Sequence, residues 1–158
     1  MRFGRKRHLE LASGEIPVAA VVPGVPVVTR AEEALRSLGV CEAGFDRREV
    51  DAGSWFADWS GELAASDVYI GLMGAPSAGG GVRLLLDDWT FDGVAAADLG
   101  PLLTDVFSGR ASITHQRCLL IFSVQVLAVS VNGTPYSAAR RFQRDERLSG
   151  WERRLLAA

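Results

Sequence analysis

Residues 118–139 read CLLIFSVQVLAVSVNGTPYSAA, and this stretch decides the fold class. Cys118, Leu120, Phe122, Val124, Val126 and Ala128 are apolar without a break, while the intervening positions include Ser123 and Gln125. A two-residue period is that of a strand with one face in a core. The expectation is one long strand over 118–131 with its even positions inward. Asn132 and Gly133 follow, the dipeptide suited to a type I′ hairpin turn, because both residues tolerate positive φ. The chain should then return antiparallel over 134–139. Pro135 donates no ladder hydrogen bond, which makes that return an edge strand.

Working outward, residues 67–73 and 82–88 read as two further strands joined by residues 74–81, GAPSAGGG. Four glycines and a proline in eight positions leave that connection as a turn or loop. Asp98 and Pro101 suit the first turn of a helix that presents Leu102, Leu103, Val106 and Phe107 and stops near Gly109. Earlier in the chain, Thr29 and Glu32 fit a capping box, which predicts a short helix over 30–38 ending at Gly39. Residues 40–53 read as a charged, extended connection. Ser54 followed by Trp55, Trp59 and Leu63, widened by Phe56, predicts a second helix. Residues 16–28 carry three prolines and predict an extended or edge segment. Near the end, Leu148, Trp151 and Leu155 form a helical stripe.

Hairpin-linked strands with irregularly interspersed helices predict an α+β class. The sheet should be mainly antiparallel, with a C-terminal β-hairpin and helices packed on one face. Residues 16–158 then form a single domain behind a flexible basic arm, residues 1–15. A chain of 158 residues with 48% hydrophobic and 23% charged residues has a globular composition. It does not have the composition of a disordered, collagen-like or disulfide-scaffold protein. Cys41 and Cys118 read as reduced, buried thiols rather than a bridge. The basic start resembles a secretory signal only poorly, since Glu10, Glu15 and the prolines interrupt it. No stretch reaches the roughly 18 apolar residues of a membrane span, and the expected location is cytoplasmic.

The net charge of −2 conceals a separation along the chain. Residues 1–7 hold four basic and no acidic groups, and residues 140–158 hold six arginines against three acids. Residues 8–139 hold 7 basic and 16 acidic groups, a net of −9. An acidic body opposes nucleic acid and favours a basic partner.

Catalytic motifs are weak. The glycine stretch is followed by Val82 and Arg83 rather than the lysine and hydroxyl residue of a phosphate loop, and by a strand rather than the helix of a dinucleotide fingerprint. Ala75 to Gly79 has the form AxSxG. Ser77, Asp87 and His115 therefore stand in the chain order of one hydrolase triad, and they define the catalytic alternative. Two histidines and two cysteines 77 positions apart give no metal-ligand spacing. Asp87, Asp88 and Asp92 lack a calcium-loop pattern. Neither cofactor nor metal is expected. The preferred reading is a non-catalytic interaction protein of inhibitor, immunity-type or adaptor character. Its acidic body takes a basic protein partner, with Asp87, Asp88, Trp89, Phe91 and Asp92 as the binding patch. Acids beside an aromatic combine electrostatic steering with an anchor. Self-association stays open. The alternative is a small enzyme or ligand-binding domain using the Gly74 to Gly81 loop.

Overall fold

The computed structural model describes residues 22, 24–75, 81–118, 122–141 and 147–156. Along the chain they form α1 (Val25–Ser37), β1 (Asp46–Asp51), β2 (Ser54–Leu63), β3 (Ser66–Gly74), β4 (Gly81–Leu86) and β5 (Trp89–Ala95), then α2 (Leu99–Phe107), β6 (Ser112–Cys118), β7 (Phe122–Val131), β8 (Thr134–Arg141) and α3 (Gly150–Leu155). Strands β1 to β5 pair antiparallel in chain order, and β6 to β8 make a second antiparallel sheet. The class is α+β. Its strands are divided between two sheets.

Two-residue turns dictate this meander. Asp51 faces Ser54, Leu63 faces Ser66, Leu86 faces Trp89 and Val131 faces Thr134 across their loops. Asn132 at φ 51° and Gly133 at φ 82° supply the left-handed backbone expected of that dipeptide. Ala64 and Ala65 adopt the same left-handed conformation, at 56° and 58°, without its usual residues.

The core lies between the inward sheet faces and the helices. Trp55, Ala57, Trp59 and Leu63 of β2 join Ile70, Leu72, Leu84, Trp89 and Phe91 against Ala31 and Leu35 of α1 and Leu102 and Val106 of α2. The expected helix over the tryptophan stripe is therefore a strand. Residues spaced by four share a face in either geometry, and buried Ala57 between the two indoles shows the two-residue period.

The long strand of residues 118–131 is also corrected. β6 ends at Cys118 and β7 begins at Phe122, with residues 119–121, including Leu120, outside the described set. Gln125, Leu127, Val129 and Val131 are buried, while Val124, Val126 and Ala128 are half-buried on the opposite face. The inward row is thus the odd one. Both rows of β7 are largely apolar, and the buried polar member of the odd row is satisfied: Gln125 accepts a 3.0 Å bond from Arg140 Nε, and its amide lies 3.3 Å from His115 Nε2. A buried amide with partners is no obstacle to burying that row.

α1 starts earlier than its expected capping box, at Val25 with Pro26 in its first turn and Gly24 as N-cap. Thr29 lies inside the helix and donates to the Val25 carbonyl at 3.0 Å. Residues 46–51 of the expected connection are a strand, and Cys41 is an exposed free thiol rather than a buried one. β8, with Pro135, is an edge, as anticipated. The expected arm, residues 1–15, lies outside the described residues.

Candidate interaction surface

The β4–β5 turn, Asp87–Asp88, was expected to display acids beside an aromatic. Its environment divides those residues between two roles. α3 begins with a capping box: the Ser149 hydroxyl accepts from the Glu152 amide, and Glu152 Oε2 accepts from the Ser149 amide at 2.6 Å. This orients Trp151 and Glu152 toward the turn. Trp151 Nε1 donates to Asp87 Oδ2 at 2.9 Å, and Asp87 Oδ1 accepts from the Tyr69 amide at 2.8 Å. Trp89 Nε1 donates to Glu152 Oε1 at 2.8 Å. Arg140 reaches the same Glu152 oxygen at 2.9 Å while its guanidinium stacks 4.4 Å from the Trp89 ring centroid. Trp151 also packs against Phe107, with ring centroids 5.4 Å apart. Asp87 and Trp89 thus fasten α3 to the sheet.

Trp89 and Phe91 are buried, whereas Asp92 is exposed and pairs with Arg83 at 2.5 Å. Alternation along β5 sends the aromatics inward and the acid outward, so the expected patch does not form one surface. Asp88 keeps a side chain 76% exposed, 3.7 Å from Arg140. For the catalytic alternative, Ser77 lies outside the described residues. Both Asp87 oxygens accept bonds within the α3 attachment, and His115 sits on β6 opposite Gln125.

The outward face of the five-stranded sheet collects what the sequence left scattered. Register places Arg48, Phe56, Met73 and Arg83 in one row and Asp46, Asp58, Gly71, Leu85 and Thr90 in the next. Tyr69 stands beside Ser60, and Asp67 beside Glu62. Phe56, Tyr69 and Leu85 are half-buried, and Met73 is 39% exposed. The Tyr69 ring leans over Gly71, where a Cβ would meet its Cε1 and hydroxyl at 3.3 Å. Arg48 lies 5.1 Å from the Phe56 centroid and bonds Asp58 at 2.8 Å. Partial burial raises the Tyr69 hydroxyl pKa above its ordinary value, and Asp58 raises it further against the opposing pull of Arg48.

The chain matches no protein-family model, no curated protein and no solved structure.

On the outward sheet face Arg48 and Arg83 are each held by an acid, Asp58 and Asp92. Asp46, Glu62 and Asp67 make no ion pair among the described residues, so the apolar centre has an acidic rim with charge to spare. Such an arrangement can desolvate an aromatic and aliphatic centre under a partner while the rim steers basic groups. Among the described residues no group of three His, Cys, Asp or Glu side chains is arranged to hold a metal ion, and no helix is long and apolar enough to cross a membrane. Sequence reasoning missed Phe56, Tyr69, Met73 and Leu85. The signal for Phe56 was the alternation Trp55, Phe56, Ala57, Asp58, Trp59, in which an aromatic falls on the face opposite the indoles.

Proposed function

We propose that this protein is a non-catalytic interaction protein, of inhibitor, immunity-type or adaptor character, that binds a basic protein partner. The outward face of β1 to β5 is the binding surface. One observation carries the reading: Phe56, Tyr69, Met73 and Leu85 remain partly open to solvent at the centre of a sheet face edged by Asp46, Glu62 and Asp67. Apolar side chains gathered on one sheet face suit burial under a partner, and an acidic rim favours a positively charged counterpart.

Capture from native extract, with mass-spectrometric identification, supplies the partner, and association rates then test the surface. The triple variant Asp46→Asn/Glu62→Gln/Asp67→Asn should slow association at low salt. Tyr69→Ala should chiefly accelerate dissociation. Raising salt from about 0.05 to 0.3 M shortens the screening length from roughly 14 to 6 Å and should slow association of the unaltered protein. A partner whose kinetics ignore all three perturbations refutes the proposal.

A further inference from the structure

β1 covers only part of the outer edge of β2. Its ladder runs from Asp51 opposite Ser54 to Asp46 opposite Asp58, and beyond Asp58 no strand among the described residues pairs with that edge. The chain leading into β1 is held aside: the Phe45 amide donates to Glu32 Oε1 of α1 at 3.1 Å, and the Trp59 indole donates to the Glu42 carbonyl at 2.9 Å. A slot of about 490 Å³ is left between residues 38–42 and residues 59–65.

The hairpin decides which backbone groups face this slot. Leu63 and Ser66 close a two-residue turn in which Ala64 and Ala65 are both left-handed, the type I′ form, and the closing pair of such a turn exchanges its own hydrogen bonds. Alternation then points the backbone groups of Leu63, Gly61 and Trp59 at β3 and turns the N–H and C=O of Ser60 and Glu62 toward the slot. No hydrogen bond among the described residues engages those four groups, and both residues are exposed. An open edge of this kind accepts another extended chain. The lining selects its charge. Glu42 and Glu62 make no ion pair among the described residues, the carbonyl end of α1 adds partial negative charge at Leu38, and no Lys, Arg or His lines the slot. Arg154 bonds the Ala64 carbonyl at 3.0 Å and marks the turn end, which keeps the open stretch short.

We propose that this slot receives an extended segment of the basic partner as an added strand antiparallel to β2, patterned basic, apolar, basic opposite Ser60, Gly61 and Glu62. The two basic residues exchange backbone bonds with Ser60 and Glu62, and their side chains lie on the outward face, in the row that continues through Glu62 to Asp67. The residue between them turns inward onto the Trp59 ring, which lies over Gly61, where a Cβ would meet its Cζ2 at 2.6 Å. The source of the segment rests on the protein partner proposed above, while the slot itself is tested without that partner.

The test uses the whole chain and the acetylated, amidated peptide Thr-Lys-Val-Lys-Thr in a ¹⁵N–¹H titration. The Ser60 and Glu62 amide peaks should move downfield and lose exchange with water, with a Kd on the order of 10⁻³ M for so short a strand. Ser60→Pro removes one N–H facing the slot and none from the ladder to β3, and should weaken binding roughly three- to tenfold, the worth of one hydrogen bond. Methylating both lysine backbone nitrogens should abolish binding, whereas methylating the valine nitrogen, which points away from β2, should leave it intact. Exchanging both lysines for glutamates should abolish it as well. The methylated peptides carry the test on the unaltered chain if Ser60→Pro does not fold. Shifts confined to the Phe56 and Tyr69 amides would put the peptide on the sheet face, overturning the slot while leaving the protein-binding face intact. Binding indifferent to which nitrogen is methylated, or Ser60 and Glu62 amides already protected in the free chain by its own residues or a second copy, would also overturn the inference.

Discussion

Glu152→Ala is expected to remove about 3–5 kcal/mol of stability, the usual consequence of breaking a buried ion pair from one side. Glu152 is buried, and its carboxylate takes the Trp89 indole at 2.8 Å, Arg140 at 2.9 Å and the Ser149 amide at 2.6 Å. Truncation leaves the Arg140 side chain, 8% exposed, without this carboxylate. It also removes one half of the α3 capping box, worth about 0.5–2 kcal/mol, and a charged hydrogen bond worth about 1.5–3 kcal/mol. These losses share one carboxylate and do not add, so the ion-pair figure bounds the whole. For a chain of this length each kcal/mol shifts Tm by about 2–4 °C, giving a fall of roughly 6–20 °C. Urea unfolding followed by tryptophan fluorescence measures it directly. Glu152→Gln keeps an acceptor for Trp89 and the Ser149 amide, and should cost about 2 kcal/mol, near a single charged hydrogen bond. If alanine costs less than about 1 kcal/mol with an unchanged urea slope, the pair does no more than offset its own desolvation, and the account of α3 attachment is wrong.

Three other perturbations have definite signs. Gly74→Ala drives a Cβ to 2.4 Å from Trp55 Nε1 and should lower the urea midpoint, costing about 1–3 kcal/mol; a raised midpoint would show that the indole moves aside freely. Ala64→Asn/Ala65→Gly places favoured residues at φ 56° and 58° and should raise thermal stability by about 1 kcal/mol, with no gain counting against strain in that turn. Tyr136 has its pKa raised first by burial and then by its hydrogen bond to Asp98. The folded state therefore holds the phenolic proton more tightly. Its contribution is complete below the unfolded tyrosine pKa of about 10 and is lost as pH rises through the folded value. Tyr136→Phe should be the less stable protein at pH 8, and the gap should narrow above pH 10 in parallel denaturation series.

The parts of the fold that were legible are those where local chemistry and pattern agree. Asn132–Gly133 announced its hairpin, and Asp98 with the following leucines announced α2. Residues 54–63 misled because Trp55, Trp59 and Leu63 satisfy helix and strand spacing alike. The turn that would have decided between them, Ala64–Ala65, is written in a good helix former. β7 misled for a different reason: both of its rows are largely apolar, and the partner that lets Gln125 be buried in the inward row, Arg140, lies fifteen residues away in sequence. The expected binding patch came from composition alone. WTFD puts acids and aromatics side by side in sequence and on opposite faces in space.

The attachment of α3 also imposes an order in time. Asp87 and Trp151 are separated by 64 residues, so during synthesis at about 5–20 residues per second the β4–β5 turn exists for roughly 3–13 s before its indole partner has been made. Over that interval Trp89 lacks Glu152, and the inner edge of the sheet that α3 later seals stands open to water and to other chains. A nascent chain stalled between these two points would display Trp89 and Phe107 as a sticky surface of the kind chaperones recognise. The vulnerability of this protein to misassembly should therefore be greatest just before α3 emerges, and should be sensitive to translation speed downstream of β5.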